Sequence, residues 1–337
     1  MSIGKPVLST LNLAIGYHTP RPKIILDNLN LTLHAAELVA LLGQNGVGKS
    51  TLLRTLAKVQ KPLSGDIYLK HRKLIEYSSA ELARNICLVL TEKINPGHLN
   101  VYELIALGRY PYTNWAGKLR EIDKLKIDWA IEHTKTNYLV YKRITELSDG
   151  QLQKVMIARA LAQDGDIIIL DEPTVHLDLN NKVEIMILLK SLAEETGKAI
   201  LVATHELDLT LQVADKLWLF NFETPFREGI PEDLVLSGAF QDTFYQEGFD
   251  FDSSTGKVML HRKLSKTVKL VGDGLDKFWT IQALERKGYK IDDQNKDIVV
   301  TIFNNNKKRV WKCEHQDHTI EATSIAELLN FLNSRNS

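Results

Sequence analysis

A chain of 337 residues with 42 Lys+Arg, 42 Asp+Glu and 44% hydrophobic residues has the composition of a globular protein, which excludes a disordered or fibrous chain. A formal charge of zero lacks the basic footprint of nucleic-acid binders, and Cys87 and Cys313, with no ligand-spaced neighbours, offer neither a disulfide framework nor a zinc site. No apolar run approaches the roughly 20 residues of a membrane span, and the first residues lack the apolar stretch of a secretory signal, so a reducing compartment on the side of synthesis is expected.

At roughly 150 residues per domain the length predicts about two domains. The first forty residues read as β-structure: VLSTLNLAIGY, then Leu29, Leu31 and Leu33 alternating with Asn30 and Thr32, then the fully apolar LVALLG. Past Gly48 the pattern changes, and Leu52, Leu53, Leu56 and Val59 fall on one helical face. From about Ser78 to Arg143 the chain reads as helical, with capping boxes at Ser78/Glu81 and Asn100/Glu103, and predicts an inserted helical lobe at about 78–145. Between Gln151 and Phe220 the order is helix, DIIIL, helix, AILVA, helix, KLWLF, as in a parallel sheet covered by helices. Beyond about Leu260 the periodicity restarts with VKLV, a helix around LDKFWTIQALERKGY, strands near DIVVTIF and KRVWKC, and a helix SIAELLNFL. These predict a small α+β domain over 261–337, whose 14 basic and 10 acidic residues suit a solvated surface.

The chemistry concentrates in two pieces. Gly43-Gln-Asn-Gly-Val-Gly-Lys-Ser50 fits G-x-x-x-x-G-K-[ST] and sits between a buried strand and a helix. Gly43, Asn45, Gly46 and Gly48 shape a loop whose backbone N–H groups cradle phosphates at a helix N-terminus; Lys49 reaches the β- and γ-phosphates, and Ser50, beside Thr51, reaches Mg²⁺. The second piece is Ile167-Ile-Ile-Leu-Asp-Glu172. Its strand delivers Asp171 to the metal and Glu172 to an attacking water, although a strand ending at an acidic turn is by itself common in α/β proteins.

Between these pieces Leu147-Ser-Asp-Gly-Gln151 resembles the LSGGQ signature of ATP-binding cassette (ABC) ATPases, with Asp149 at a position where the family carries glycine. The resemblance implies a P-loop ABC ATPase fold over residues 1–260, with an N-terminal antiparallel β subdomain, a parallel core sheet and the helical lobe. It implies that Ser148, Gly150 and Gln151 complete the ATP site of a partner subunit. His205 matches the switch histidine, Asp178 the D-loop aspartate that crosses the dimer interface, and Tyr17 the aromatic that stacks on adenine. Aligning ARNICLVLT with the family's ARxVxYLPQ places Thr91 where a glutamine usually touches Mg²⁺ and water, so Thr91 would offer the metal a hydroxyl instead.

LNVYELIALGRYPYTNWAGKL is similar to the TVxELVxxGRxP segment of the ATPases of iron-siderophore, haem and cobalamin importers. That resemblance implies a permease docking face at Arg109, Tyr110 and Tyr112, with Trp115 beside them. It further implies a homodimer on the cytoplasmic face of the plasma (inner) membrane, fed by a substrate-binding protein and having no nucleic-acid partner. Catalysis would fall to Glu172, His205 and Lys49. Two other readings stay open: an ABC regulator with little turnover, prompted by Thr91 and the extra C-terminal domain, and a non-transport ABC ATPase acting on nucleic acid.

Overall fold

The computed structural model describes residues 6–18, 21–90, 98–114, 117–222, 225–244, 249–252, 257–260, 263–305, 308–315 and 318–334. The chain divides into two compact units near residues 245–258.

The first unit opens with β1 (Pro6–Tyr17), β2 (Lys23–Leu29) and β3 (Thr32–His34), and β1 pairs antiparallel with both others. Next come β4 (Leu38–Gly43) and helix α1 (Lys49–Leu56), then β5 (Ser64–Leu69), which pairs antiparallel with β1, and β6 (Arg72–Lys73). Thus the N-terminal strands form one antiparallel sheet, while β4 leaves it because all six of its residues are buried and need cover on both faces. α1 ends earlier than its apolar spacing predicts: Lys58 takes a left-handed backbone, and Val59 is left exposed.

Then follow α2 (Ser79–Ala83) and β7 (Ile86–Val89). The capping box at Ser78/Glu81 forms as expected, but the span predicted as lobe from residue 78 needs correction. Ile86–Val89 is an edge strand of the core sheet, because four consecutive apolar residues pair parallel with a later strand instead of turning with helical period. The lobe proper consists of α3 (Val101–Ala106), a 3₁₀ segment over Leu107–Tyr112 and α4 (Glu121–His133), lying on α5 (Asp149–Ala162). The Asn100/Glu103 capping box opens α3, and Val101, Leu104, Ile105, Ile127 and Ile131 share one core with Val155 and Ile157 of α5.

Arg109 is only 3% exposed, so it is no docking residue. Its Nε and Nη2 donate to Asp123 Oδ1 at 3.1 and 2.9 Å, its Nη1 donates to Ala162 O at 2.8 Å, and its guanidinium lies 3.9 Å from the Tyr112 ring centroid. Arg109 therefore ties the lobe to the end of α5. Burial raises the Asp123 carboxyl, but hydrogen bonds from Arg120 and Arg109 outweigh it and hold the carboxyl at about 2.

β8 (Ile167–Asp171), α6 (Leu179–Thr196), β9 (Ala199–Ala203), α7 (Leu207–Val213) and β10 (Lys216–Phe220) complete the alternation expected from the sequence; β11 (Arg227–Gly229), α8 (Pro231–Leu236) and α9 (Ala239–Phe244) follow. The core sheet has the order β11-β10-β4-β9-β8-β7 and is parallel except at β11. Two short strands, β12 (Phe249–Asp252) and β13 (Lys257–Leu260), fall where the chain divides.

The second unit contains β14 (Lys266–Val271), α10 (Gly274–Arg286), β15 (Tyr289–Ile291), β16 (Ile298–Asn305), β17 (Lys308–His315), β18 (His318–Ala322) and α11 (Ile325–Ser334). Its sheet runs β15-β14-β16-β17-β18, and its core gathers Val268, Leu284, Tyr289, Val300, Cys313, Leu328 and Leu332. Trp311 Nε1 donates to Thr280 Oγ1 at 2.8 Å, which satisfies the one polar atom of a buried indole. Both cysteines are free and buried; burial pushes Cys87 up to about 12 and Cys313 up to about 11, so neither is a reactive thiol.

Asp123→Ala leaves a buried guanidinium without its carboxylate and lowers unfolding stability by about 3 kcal/mol in urea denaturation, mostly by loosening the lobe. Wild-type stability in that variant would contradict the role assigned to the pair.

Candidate functional site

β4 and β8 both end at the same edge of the core sheet, with β9 between them, so the glycine loop after β4 and the carboxylates after β8 emerge side by side. Residues 44–48 turn between strand and helix, and Gly48 holds φ 111° with the position of a Cβ only 2.6 Å from Ile25 Cγ2. Only glycine fits there. Lys49 is buried, and its Nζ donates to Gly43 O at 2.8 Å and Gln44 O at 3.2 Å, so the ammonium rests on the loop it closes. Burial lowers the Lys49 pKa, and the nearby carboxylates of Glu172 and Asp171 oppose that shift.

Asp171 lies buried at the end of β8. Burial raises its pKa, a hydrogen bond with Ser50 opposes the shift, and neighbouring Glu172 adds to it. Glu172 adopts a left-handed backbone, φ 50°, while its N–H donates to Ala203 O at 2.9 Å. Such strain in a non-glycine residue is maintained where the surroundings over-determine it, and it turns Glu172 out of the strand direction. His205 Nε2 sits 2.5 Å from Glu172 Oε1, so the loop after β9 and the loop after β8 meet at this carboxylate.

A cleft of about 490 Å³ is lined by Tyr17, Lys23, Ile24, Ile25, Asn45, Gly46, Gly48, Lys49, Ser50, Thr51, Glu172 and Phe222. It gathers most of the residues expected to bind nucleotide. Asp171 joins through Ser50 and His205 through Glu172. Ser148, Gly150, Gln151 and Asp178 do not line this cleft. Instead Ser148 caps α5: its Oγ accepts from Gln151 N at 3.3 Å, and Gln151 Oε1 accepts from Ser148 N at 3.2 Å. Gly150 lets α6 approach, since a Cβ would lie 2.5 Å from Asn181 Oδ1, and Asp178 caps α6 by accepting from Asn181 N at 2.8 Å. Ser148 and Asp149 are exposed at the start of α5, so that helix end faces outward. Thr91 and Trp115 lie outside the described residues. Of the docking residues expected on the lobe, Tyr110 is 76% exposed and Tyr112 is partly buried beside Arg84 and Arg109.

The sequence profile of the ABC transporter family matches residues 26–175, and that of the iron ABC transporter C-terminal domain matches residues 265–333. An uncharacterised ABC transporter ATP-binding protein of Methanocaldococcus jannaschii is 36% identical over 264 residues, 78% of this chain and 90% of that protein. The chain belongs to the ATP-binding proteins of ABC transporters. As an ABC ATP-binding protein it is an ATPase coupled to transport, and its cassette binds nucleotide. The iron(3+)-hydroxamate import ATP-binding protein FhuC of Bacillus subtilis is 32% identical over 70% of this chain and 87% of its own length. Among solved structures, the dimeric ABC cassette MJ0796 bound to ADP and Pi is 27% identical with a TM-score of 0.57, covering 66% of this chain and 98% of that one. Among the described residues no helix of this ABC protein is long and apolar enough to cross a membrane.

Gly48→Ala strains the loop and drives a methyl into Ile25, so nucleotide affinity measured by titration falls by more than tenfold while stability falls by about 1–3 kcal/mol. Wild-type affinity in that variant would contradict the role of the loop's backbone.

Proposed function

We propose that this chain is the peripheral ATPase subunit of an importer for a metal chelate of the iron-siderophore, haem or cobalamin class. It works as a homodimer beneath a membrane permease on the cytoplasmic face of the plasma (inner) membrane, with a substrate-binding protein delivering cargo on the far side. One observation carries the reading: an ABC cassette with a glycine-loop cleft and a segment matching the iron ABC transporter C-terminal domain occur in one chain. Similarity to an iron(3+)-hydroxamate import protein supports the cargo class, and similarity to a dimeric cassette supports the assembly.

In this reading residues 1–260 form the nucleotide-binding domain and residues 261–337 an accessory domain. Tyr17 stacks on adenine, while the loop from Gly43 to Thr51 holds the phosphates. Lys49 leaves the carbonyls of Gly43 and Gln44 for the β- and γ-phosphates, which satisfy the ammonium better than neutral acceptors do. Ser50 and Asp171, two hard oxygen donors already hydrogen-bonded to each other, fit Mg²⁺, which takes few protein ligands and keeps its waters. When bound, Mg²⁺ neutralises charge on the phosphate oxygens. Glu172 orients the attacking water and accepts its proton, and His205 holds that carboxylate and the γ-phosphate in line. Ser148, Gly150 and Gln151 present the start of α5 to the γ-phosphate bound by a partner, where an exposed helix N-terminus favours an anion. Asp178 crosses the same interface. Tyr110 and Tyr112 meet the permease.

Glu172→Gln keeps the shape of the side chain but cannot take the proton, so phosphate release falls by about 10²–10⁴-fold and Mg-ATP traps a dimer in light scattering. Tagged and isolated from gently solubilised membranes, the trapped form brings a multi-spanning protein in near one-to-one ratio. A monomer with normal turnover would contradict the mechanism, and recovery of only ribosomal or DNA-bound proteins would contradict the importer.

A further inference from the structure

The nucleotide cleft contains a second exposed aromatic that belongs to no motif. β10 pairs parallel with β4 so that Phe220 stands beside Gly43, the first residue of the glycine loop. Phe220 turns into the core against Phe226, with ring centroids 4.9 Å apart. Asn221 Nδ2 then donates to Asp242 O at 2.9 Å and Thr243 O at 3.3 Å, which anchors the chain as it leaves the sheet. The next residue is Phe222. It is 63% exposed, and it lines the cleft together with Tyr17, itself 52% exposed, Ile24 and Ile25.

A single exposed phenylalanine needs no explanation. Here two exposed aromatics and two isoleucines share one cleft with Asn45, Lys49, Ser50, Thr51 and Glu172, so the lining offers both apolar and charged groups. A ligand that joins a flat ring to a phosphate chain matches this division. We propose that Phe222 is a binding residue for the nucleotide base, an aromatic contact in addition to Tyr17. This rests on the reading of the cleft as the ATP site. The contact takes apolar surface of both the ring and the base out of water and is indifferent to the phosphates.

The test uses the full chain and two probes, ATP and inorganic tripolyphosphate, which carries the charges without the base. Phe222→Ala weakens ATP binding by about tenfold, as loss of one stacking contact does, and leaves tripolyphosphate binding unchanged. In steady state its KM rises while kcat holds, and Phe222→Tyr restores ATP affinity. ATP affinity within about twofold of wild type in Phe222→Ala would overturn the proposal. Equal losses for ATP and tripolyphosphate would also overturn it, because the defect would then lie in the glycine loop. Wild-type protein that binds neither probe would overturn the ATP-site reading itself, a result distinct from the other two.

Discussion

Everything at the site depends on the in-register parallel pairing of β4, β9 and β8. Leu41 stands opposite Ala203, and Ala203 stands opposite Asp171, so three loops leave the sheet within two residues of one level. Two strand spacings separate the glycine loop from the carboxylates by about 10 Å. A lysine and a serine at the start of α1 span much of that gap: Ser50 hydrogen-bonds Asp171, and Lys49 feels the charge of both Asp171 and Glu172. A slip of one residue along β8 would exchange Asp171 for an inward-facing apolar side chain and dismantle the site. The continuous burial of β4, β8 and β9 is what makes such a slip costly.

The same pairing explains what the sequence makes legible. LVALLG, IIIL and AILVA are short apolar runs too brief for a typical helix, and a strand covered on both faces buries them completely. The glycine loop is legible because its chemistry requires residue types at fixed spacing. β7 is hidden because its four residues follow a helix-capping box closely, and β15 and β18 because short strands carry little periodicity. Arg109 misleads for another reason. Next to Tyr110 and Pro111 it reads as part of a surface motif, whereas its partner Asp123 is fourteen residues away on another helix and emerges only on folding. Phe222 carries no signal at all, since its place in the cleft comes from the register of β10 against β4.

Besides the apolar core that it shares with α5 and the sheet, the helical lobe makes a few directional contacts across its junction with the core. Arg109 reaches Ala162 O, Arg84 Nε donates to Pro111 O at 3.1 Å, and Lys126 pairs with Asp164 at 2.8 Å. Gln163, at the end of α5, also donates to Ala83 O and Ile86 O. α5 thus links the exposed Ser148 end to the junction that carries the lobe through one continuous helix.

The cleft beside the glycine loop lies in one chain, yet Ser148, Gly150 and Gln151 are absent from its lining. In the proposed homodimer a second copy supplies them. Mixing two inactive variants, Lys49→Ala and Ser148→Arg, tests it directly, because a dimer of the two chains retains one intact site. Phosphate release, negligible for each variant alone, is expected to return on mixing to about a quarter of the wild-type rate, as a symmetric interface requires. Full activity of Ser148→Arg alone, or no recovery on mixing, would contradict it.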